Sequence, residues 1–121
     1  MKVLLDTNFL IDLVRFRINL DDITNLIGAN ELVILSSVER ELIKISKGTS
    51  KASMHARAAL KLIKECDMKL LKLETRPDDA MLKLADENTI VATNDIELRK
   101  RLKALGRKTI YLKAKKHLAI G

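Results

Sequence analysis

The sequence predicts an α/β sandwich built around a parallel sheet. Three observations carry that expectation: short apolar runs of strand length, stretches between them with apolar residues at helical spacing, and short links joining the two kinds in alternation. The chain opens with Val3, Leu4 and Leu5, a continuous apolar run of the kind that suits a strand buried on both faces. Phe9, Leu10, Leu13 and Val14 then recur at helical spacing, so a helix begins around Thr7. A second short helix starts near Asp21 or Asp22 and stops at Gly28, where glycine tolerates a left-handed backbone. Leu32 to Leu35 give the second strand. Ser36 and Glu39 stand at capping-box spacing before Val38, Leu42 and Ile45, which predicts a helix to about Gly48.

After the polar break from Gly48 to Lys51, Ala52, Ala56, Ala59, Leu60 and Ile63 mark another helix, and Met68 to Leu73 the third strand. Thr75, Pro77 and Asp78 open a helix that turns Leu82 and Ala85 inward, Pro77 being suited to the first helical turn. A fourth strand runs from Thr89 to Thr93, and a helix carries Leu98, Leu102 and Leu105 to Gly106. The last predicted strand is Thr109 to Leu112, followed by a densely basic stretch from Lys113 to Lys116. No internal repeat interrupts this order.

At 121 residues, with 47% hydrophobic and 32% charged residues, residues 1–121 are expected to form one domain. No apolar run approaches the roughly 20 residues of a membrane span. Lys2 leads straight into a strand-like run ending at Asp6, unlike a signal peptide, so the expected compartment is the cytoplasm, with no membrane partner. One cysteine, Cys66, excludes an internal disulfide, and the two histidines, His55 and His117, form no Cys/His signature. Lys and Arg number 23 against 16 Asp and Glu, a net charge of +7 that favours a polyanionic partner.

Ligands of parallel α/β folds bind beyond the carboxyl ends of the strands. That rule selects four acids: Asp6 after the first strand, Glu41 in the helix after the second, Asp79 in the first turn after the third, and Asp95 just past the fourth. Acids early in helices ordinarily serve as caps or complement the macrodipole. Here Glu39 and Asp78 suffice as capping partners of Ser36 and Thr75, which leaves Glu41 and Asp79 without local duty. Asp6 closes an apolar strand, where an uncompensated carboxylate is costly. Convergent carboxylates repel and either share protons or bind a hard cation such as Mg²⁺ or Mn²⁺, and such a cation activates water in nucleases.

These residues match a family pattern. Asp6-Thr7-Asn8-Phe9-Leu10-Ile11-Asp12 resembles the opening D-T-N-x-L-x-D of PIN domains. Glu41-Leu42, Asp79-Ala80 and Thr93-Asn94-Asp95 resemble their second, third and fourth acidic positions, in order over nearly the whole chain. The resemblance implies a PIN-like three-layer sandwich, a five-stranded parallel sheet flanked by helices. It also implies a Mg²⁺- or Mn²⁺-dependent endoribonuclease that leaves a 5′-phosphate and a 3′-hydroxyl. On that basis Asp6, Glu41, Asp79 and Asp95 hold the metal and are catalytic, Asn8 and Thr93 orient them, and Asp12 stabilises the first helix. Asp78 and Asp79 exchange roles if the helix starts one residue away.

The stretch Ala92 to Leu102 with Ile110-Tyr111-Leu112 looks closest to archaeal PIN proteins related to rRNA-processing nucleases, while stand-alone PIN proteins of this size are often toxins of VapBC-type pairs. The implied partners are RNA, a second copy in a homodimer, and an antitoxin protein if the chain is a toxin. Arg99, Lys100, Arg101 and Lys103 lie off the apolar stripe of their helix, and Arg107, Lys108, Lys113, Lys115 and Lys116 extend the charge. Arg99 and Arg101 are the candidates for contact with RNA phosphates. Aromatic residues are few, which argues against base stacking as the main mode. Two other enzyme classes fit less well. Haloacid dehalogenase-like phosphatases need D-x-D, whereas Asn8 fills the second place, and the paired acids of receiver modules are missing. A non-catalytic RNA-binding protein of the same fold would not need all four acids.

Overall fold

The computed structural model describes residues 1–73 and 75–121. Its elements follow in the order β1 (Lys2–Leu5), α1 (Thr7–Arg15), α2 (Asp21–Ile27), β2 (Glu31–Leu35), α3 (Ser36–Ser46), α4 (Lys51–Glu65), β3 (Lys69–Leu71), α5 (Pro77–Leu84), β4 (Thr89–Ala92), α6 (Ile96–Ala104), β5 (Thr109–Lys113) and β6 (His117–Ile120). One sheet runs β3-β2-β1-β4-β5-β6, in which β1 to β5 are parallel and β6 returns antiparallel to β5. The expected five parallel strands are thus present, and the segment after the basic stretch adds a sixth that the sequence pattern did not indicate.

Strands β1, β2 and β4 are buried because they are central and apolar: Val3, Leu4, Leu5, Ile34, Leu35, Val91 and Ala92 are all nearly inaccessible. In register, Leu4 lies between Val33 of β2 and Val91 of β4. Each buried valine, leucine or isoleucine side chain among them contributes roughly 1.5–3 kcal/mol. The chain moves outward from β1 to β2 and β3, then jumps back to β4 beside β1 and proceeds the other way. Right-handed crossovers therefore put α1, α3 and α4 on one face, where they pack on one another, and α5 and α6 together on the other. The reversal between β1 and β4 is a topological switch point, and the crevice beyond their carboxyl ends is where such sheets bind ligands.

Several local expectations change. Leu35 rather than a side chain precedes α3 at its cap. The Ser36 hydroxyl leaves Glu39 and bonds the backbone of Leu73, donating to its carbonyl at 3.3 Å and accepting from its N–H at 3.2 Å. The capping box is absent because that hydroxyl ties α3 to the end of β3. Likewise α5 is entered through Arg76 with no side-chain cap, so Asp78 does not partner Thr75, although Pro77 does occupy the first turn. Met81 and Ala80 point inward ahead of Leu82. On α6 Leu98 and Leu102 are buried but Leu105 is 58% exposed, since the helix ends one residue before it. Gly28 has φ 80° as expected but an extended ψ of −160°, a region open essentially to glycine alone.

Candidate active site at the carboxyl edge

Asp6 sits where β1 ends and caps α1, its Oδ1 accepting the Thr7 N–H at 2.8 Å. Its Oδ2 accepts the Thr93 hydroxyl at 2.7 Å. The same hydroxyl oxygen accepts the Asp95 N–H at 3.1 Å, so one threonine joins the acids of β1 and β4. Asp95 caps α6, its Oδ1 accepting from Glu97 and Leu98 at 2.9 and 3.2 Å. From α3 the Glu41 carboxylate reaches the Thr7 hydroxyl, which donates to Oε2 at 3.2 Å. Asn8 accepts the Asn94 N–H at 3.2 Å.

These groups open onto a cleft of about 340 Å³ lined by Asp6, Thr7, Asn8, Glu41, Arg76, Pro77, Asp78, Asp79, Asp95 and Arg101. All four acids selected from the sequence line it, together with Asn8. Thr93 lies behind the floor, completely buried. Asp79 on α5 faces Arg101 on α6, with 3.9 Å between carboxylate and guanidinium and both side chains more than half exposed. Asp78 and Asp79 both border the cleft, so the one-residue ambiguity in the sequence becomes two acids at one wall.

The electrostatic stress concentrates on Asp6, which is only 6% exposed. Burial, chiefly, pushes its pKa above the ordinary 3.8, and the charges of Asp78 and Glu41 push the same way. The Thr93 hydroxyl and the Thr7 N–H oppose this by bonding the charged form. Each Asp6 oxygen accepts from one protein donor, and a carboxylate oxygen has a second lone pair to offer. A floor of carboxylate oxygens with no sulfur or imidazole among the lining residues suits a hard divalent cation. Among the described residues no three acidic, histidine or cysteine side chains stand close enough, as placed, to form a metal cage.

The two candidate phosphate contacts separate. Arg101 lines the cleft. The Arg99 guanidinium instead lies 3.5 Å over the Tyr111 ring, with its Nε donating to the Thr109 hydroxyl at 3.3 Å. It fastens α6 to β5. Sequence spacing also passed over Thr7, Arg76 and Asn94, whose importance comes from contacts across 18 to 86 residues or from cleft position alone. The one local signal was that Thr7 and Asn94 lie inside the motifs carrying Asp6 and Asp95.

Known proteins resemble the chain in sequence and in shape. Ribonuclease VapC4 of Methanocaldococcus jannaschii is 34% identical over 125 residues, covering 98% of this chain and 95% of its own length. The solved PIN domain endonuclease Utp24 superposes with a TM-score of 0.79 at 24% identity, covering 98% of this chain and 90% of that one, a likeness of fold. So does VapBC-1 from nontypeable Haemophilus influenzae, with a TM-score of 0.54 at 18% identity over 86% of this chain and 94% of that one. A family model described as a PIN-like domain matches residues 3–115, and with so much of its length in that match the chain belongs to the PIN-like domain family.

Proposed function

We propose that the chain is an endoribonuclease that hydrolyses RNA phosphodiester bonds with a divalent cation, Mg²⁺ or Mn²⁺, held by Asp6, Glu41, Asp79 and Asp95. The observation that carries this is the gathering of acids from four separate strand-to-helix connections at one cleft, with the buried Asp6 at its floor. Full-length similarity to a protein named as a ribonuclease supports the choice of substrate.

The chain's residues divide the work. Asp6, bonded on both oxygens, is a fixed anchor, and Asp95 is fixed to it through Thr93. Glu41 and Asp79 are exposed on the rim, so a change of rotamer suffices to turn their carboxylates inward. Asp78 is the substitute for Asp79 at the same wall. A bound cation would supply Lewis-acid polarisation of the phosphate and acidify the attacking water. The charge of such a cation would offset the cost of burying the Asp6 carboxylate and the repulsion from Asp78 and Glu41, which would link its binding to the deprotonated form. Arg101 and Arg76 put positive charge beside the acids, where a phosphate oxygen would find a guanidinium partner.

Incubation of single-stranded RNA with Mn²⁺ or Mg²⁺ tests the proposal, with wild type and Asp6→Asn compared in the presence and absence of chelator. Cleavage confined to wild type with metal is expected, giving 5′-phosphate ends; cleavage that survives the substitution or the chelator comes from a contaminant and sinks the assignment. The same chemistry serves RNA processing or a VapC-type toxin paired with an antitoxin. Expression of wild type that halts growth, against harmless Asp6→Asn, marks the toxin. A homodimer is part of the proposal, and a light-scattering mass of one chain at micromolar concentration counts against it. Among the described residues no helix is long and apolar enough to cross a membrane, in keeping with a proposed cytoplasmic site of action.

A further inference from the structure

Asn94, half-buried between Thr93 and Asp95, is pinned at three points. Its N–H donates to Asn8 Oδ1 at 3.2 Å, its side-chain Nδ2 donates to Asp12 Oδ2 at 2.9 Å, and its Oδ1 accepts the Leu112 N–H at 2.8 Å. The first two partners belong to α1 and the third to β5. On either side of this residue stand the two groups that fix the acid pair: the Thr93 hydroxyl on Asp6, and the Asp95 N–H on that hydroxyl.

We propose that Asn94 and Asp12 form a clamp that sets the spacing of Asp6 and Asp95, making Asn94 a positioning residue for the site rather than a loop residue of neutral identity. The geometry admits few substitutes. The side chain must accept from a strand amide on one side and donate to a carboxylate on the other, which a primary amide does with two separate atoms, whereas a carboxylate or alkyl group lacks the donor and an alcohol has a single oxygen for both partners. Asp12 is thereby reassigned. Its carboxylate does not serve α1 alone but holds the residue between Thr93 and Asp95. Partners that orient ligating carboxylates matter to affinity nearly as much as the ligands do.

The inference rests on the nuclease assignment for its catalytic consequence, and the test keeps the two apart. Wild type, Asn94→Ala, Asn94→Asp and the exchanged pair Asp12→Asn with Asn94→Asp are compared by Mn²⁺ calorimetry, by kcat and KM on a single-stranded RNA, and by amide hydrogen exchange. Asn94→Asp sets two carboxylates face to face, whereas the exchanged pair restores one amide-to-carboxylate bond with its direction reversed. Expected for both single variants is a fall of about 10- to 100-fold in Mn²⁺ affinity and in kcat, with KM within about threefold. The Asp95 amide should exchange about tenfold faster while that of Val91 is unchanged, and the exchanged pair should regain most of both losses. If Asn94→Asp does not fold, Asn94→Ala carries the comparison. The clamp is overturned by wild-type Asp95 exchange, Mn²⁺ affinity and kcat in Asn94→Ala, or by an exchanged pair that folds yet is no better than Asn94→Asp. Should wild type neither cleave RNA nor take up Mn²⁺, the nuclease assignment fails, and the Asp95 exchange in Asn94→Ala alone decides the clamp.

Discussion

On the β4 side of the cleft the polar groups are bonded into the protein: Thr93 to Asp6, Asp95 to Thr93 and to the first turn of α6, Asn94 to α1 and β5. On the α5 side, Asp78 and Asp79 are exposed on a helix entered without a side-chain cap from its N-cap residue Arg76, and the ion pair between Asp79 and Arg101 spans 3.9 Å between solvent-facing groups. Exposed pairs of that kind are worth about 0–1 kcal/mol, while hydrogen bonds to charged groups in the interior are worth about 1.5–3 kcal/mol. One wall is therefore preset and the other adjustable. A site that must hold a small cation and also admit a bulky polymer gains from that division, because pre-organisation is concentrated where the reacting geometry is set.

The largest break in this comparison is Asp6→Asn, which removes the anchor of the preset wall. Loss of the supporting partner of a ligand costs 10- to 100-fold, so loss of the acid itself should lower RNA cleavage by more than about 100-fold. The folded apo chain should tolerate it well. Since the Asp6 pKa is raised above 3.8, the folded state keeps a proton that the unfolded state has already released. Stability then falls as pH rises from about the unfolded value through the folded one, and the loss persists above it. Urea melts without metal should show Asp6→Asn gaining on wild type across that window. A difference between them that stays constant with pH would contradict the burial argument.

Thr93→Val comes next, being nearly isosteric and deprived of the hydroxyl that joins Asp6 to Asp95. It should reduce cleavage by about 10- to 100-fold and cost about 1–3 kcal/mol, measured by kinetics and chemical denaturation. A smaller comparison separates two arginines of one helix. Arg99→Ala should cost about 1 kcal/mol through the lost ring contact and strand bond, whereas Arg101→Ala should stay within about 0.5 kcal/mol yet lower the salt dependence of RNA binding by about one charge. Equal stability losses would erase the distinction drawn between them.

The smallest effect lies outside both walls. Ala114 and Lys115 occupy the β5–β6 turn with φ of 55° and 58°, closed by the Lys116 N–H donating to the Lys113 carbonyl at 3.1 Å. Glycine suits that backbone, so Lys115→Gly should raise stability by several tenths of a kcal/mol in thermal melts, with cleavage unaltered.

That turn also explains what the sequence hid. Hairpins of positive φ are recognised by Asn-Gly or Asp-Gly, and here the positions read Ala-Lys inside the basic stretch from Lys113 to Lys116, so nothing signalled a turn and the strand from His117 to Ile120 beyond it went unread. The central strands were legible because apolar runs buried on both faces leave a continuous signature, and Asp6 was legible because it ends one. Glu41 and Asp79 were reached by a capping argument that the structure does not uphold, since Ser36 spends its hydroxyl on Leu73, 37 residues away. Local spacing contains no trace of such a bond. What brings both acids to the cleft is topology: residues early in a crossover after a parallel strand lie near the same edge. The three contacts of Asn94 were illegible for the same reason as that of Ser36, joining groups 18 to 86 residues apart.

The antiparallel return of β6 along β5 has a further effect on how the molecule behaves in a crowd of its own kind. A parallel sheet ending at β5 would offer a row of unsatisfied amides and carbonyls to a neighbouring copy. Folding His117 to Ile120 back along β5 fills that row from within. At the opposite margin β3 is only three residues long and is bordered by Lys69 and Lys72. β6, four residues long and preceded by Lys113, Lys115 and Lys116, becomes the new edge, so both margins are short strands with lysines beside them, which makes them poor templates for strand-by-strand polymerisation.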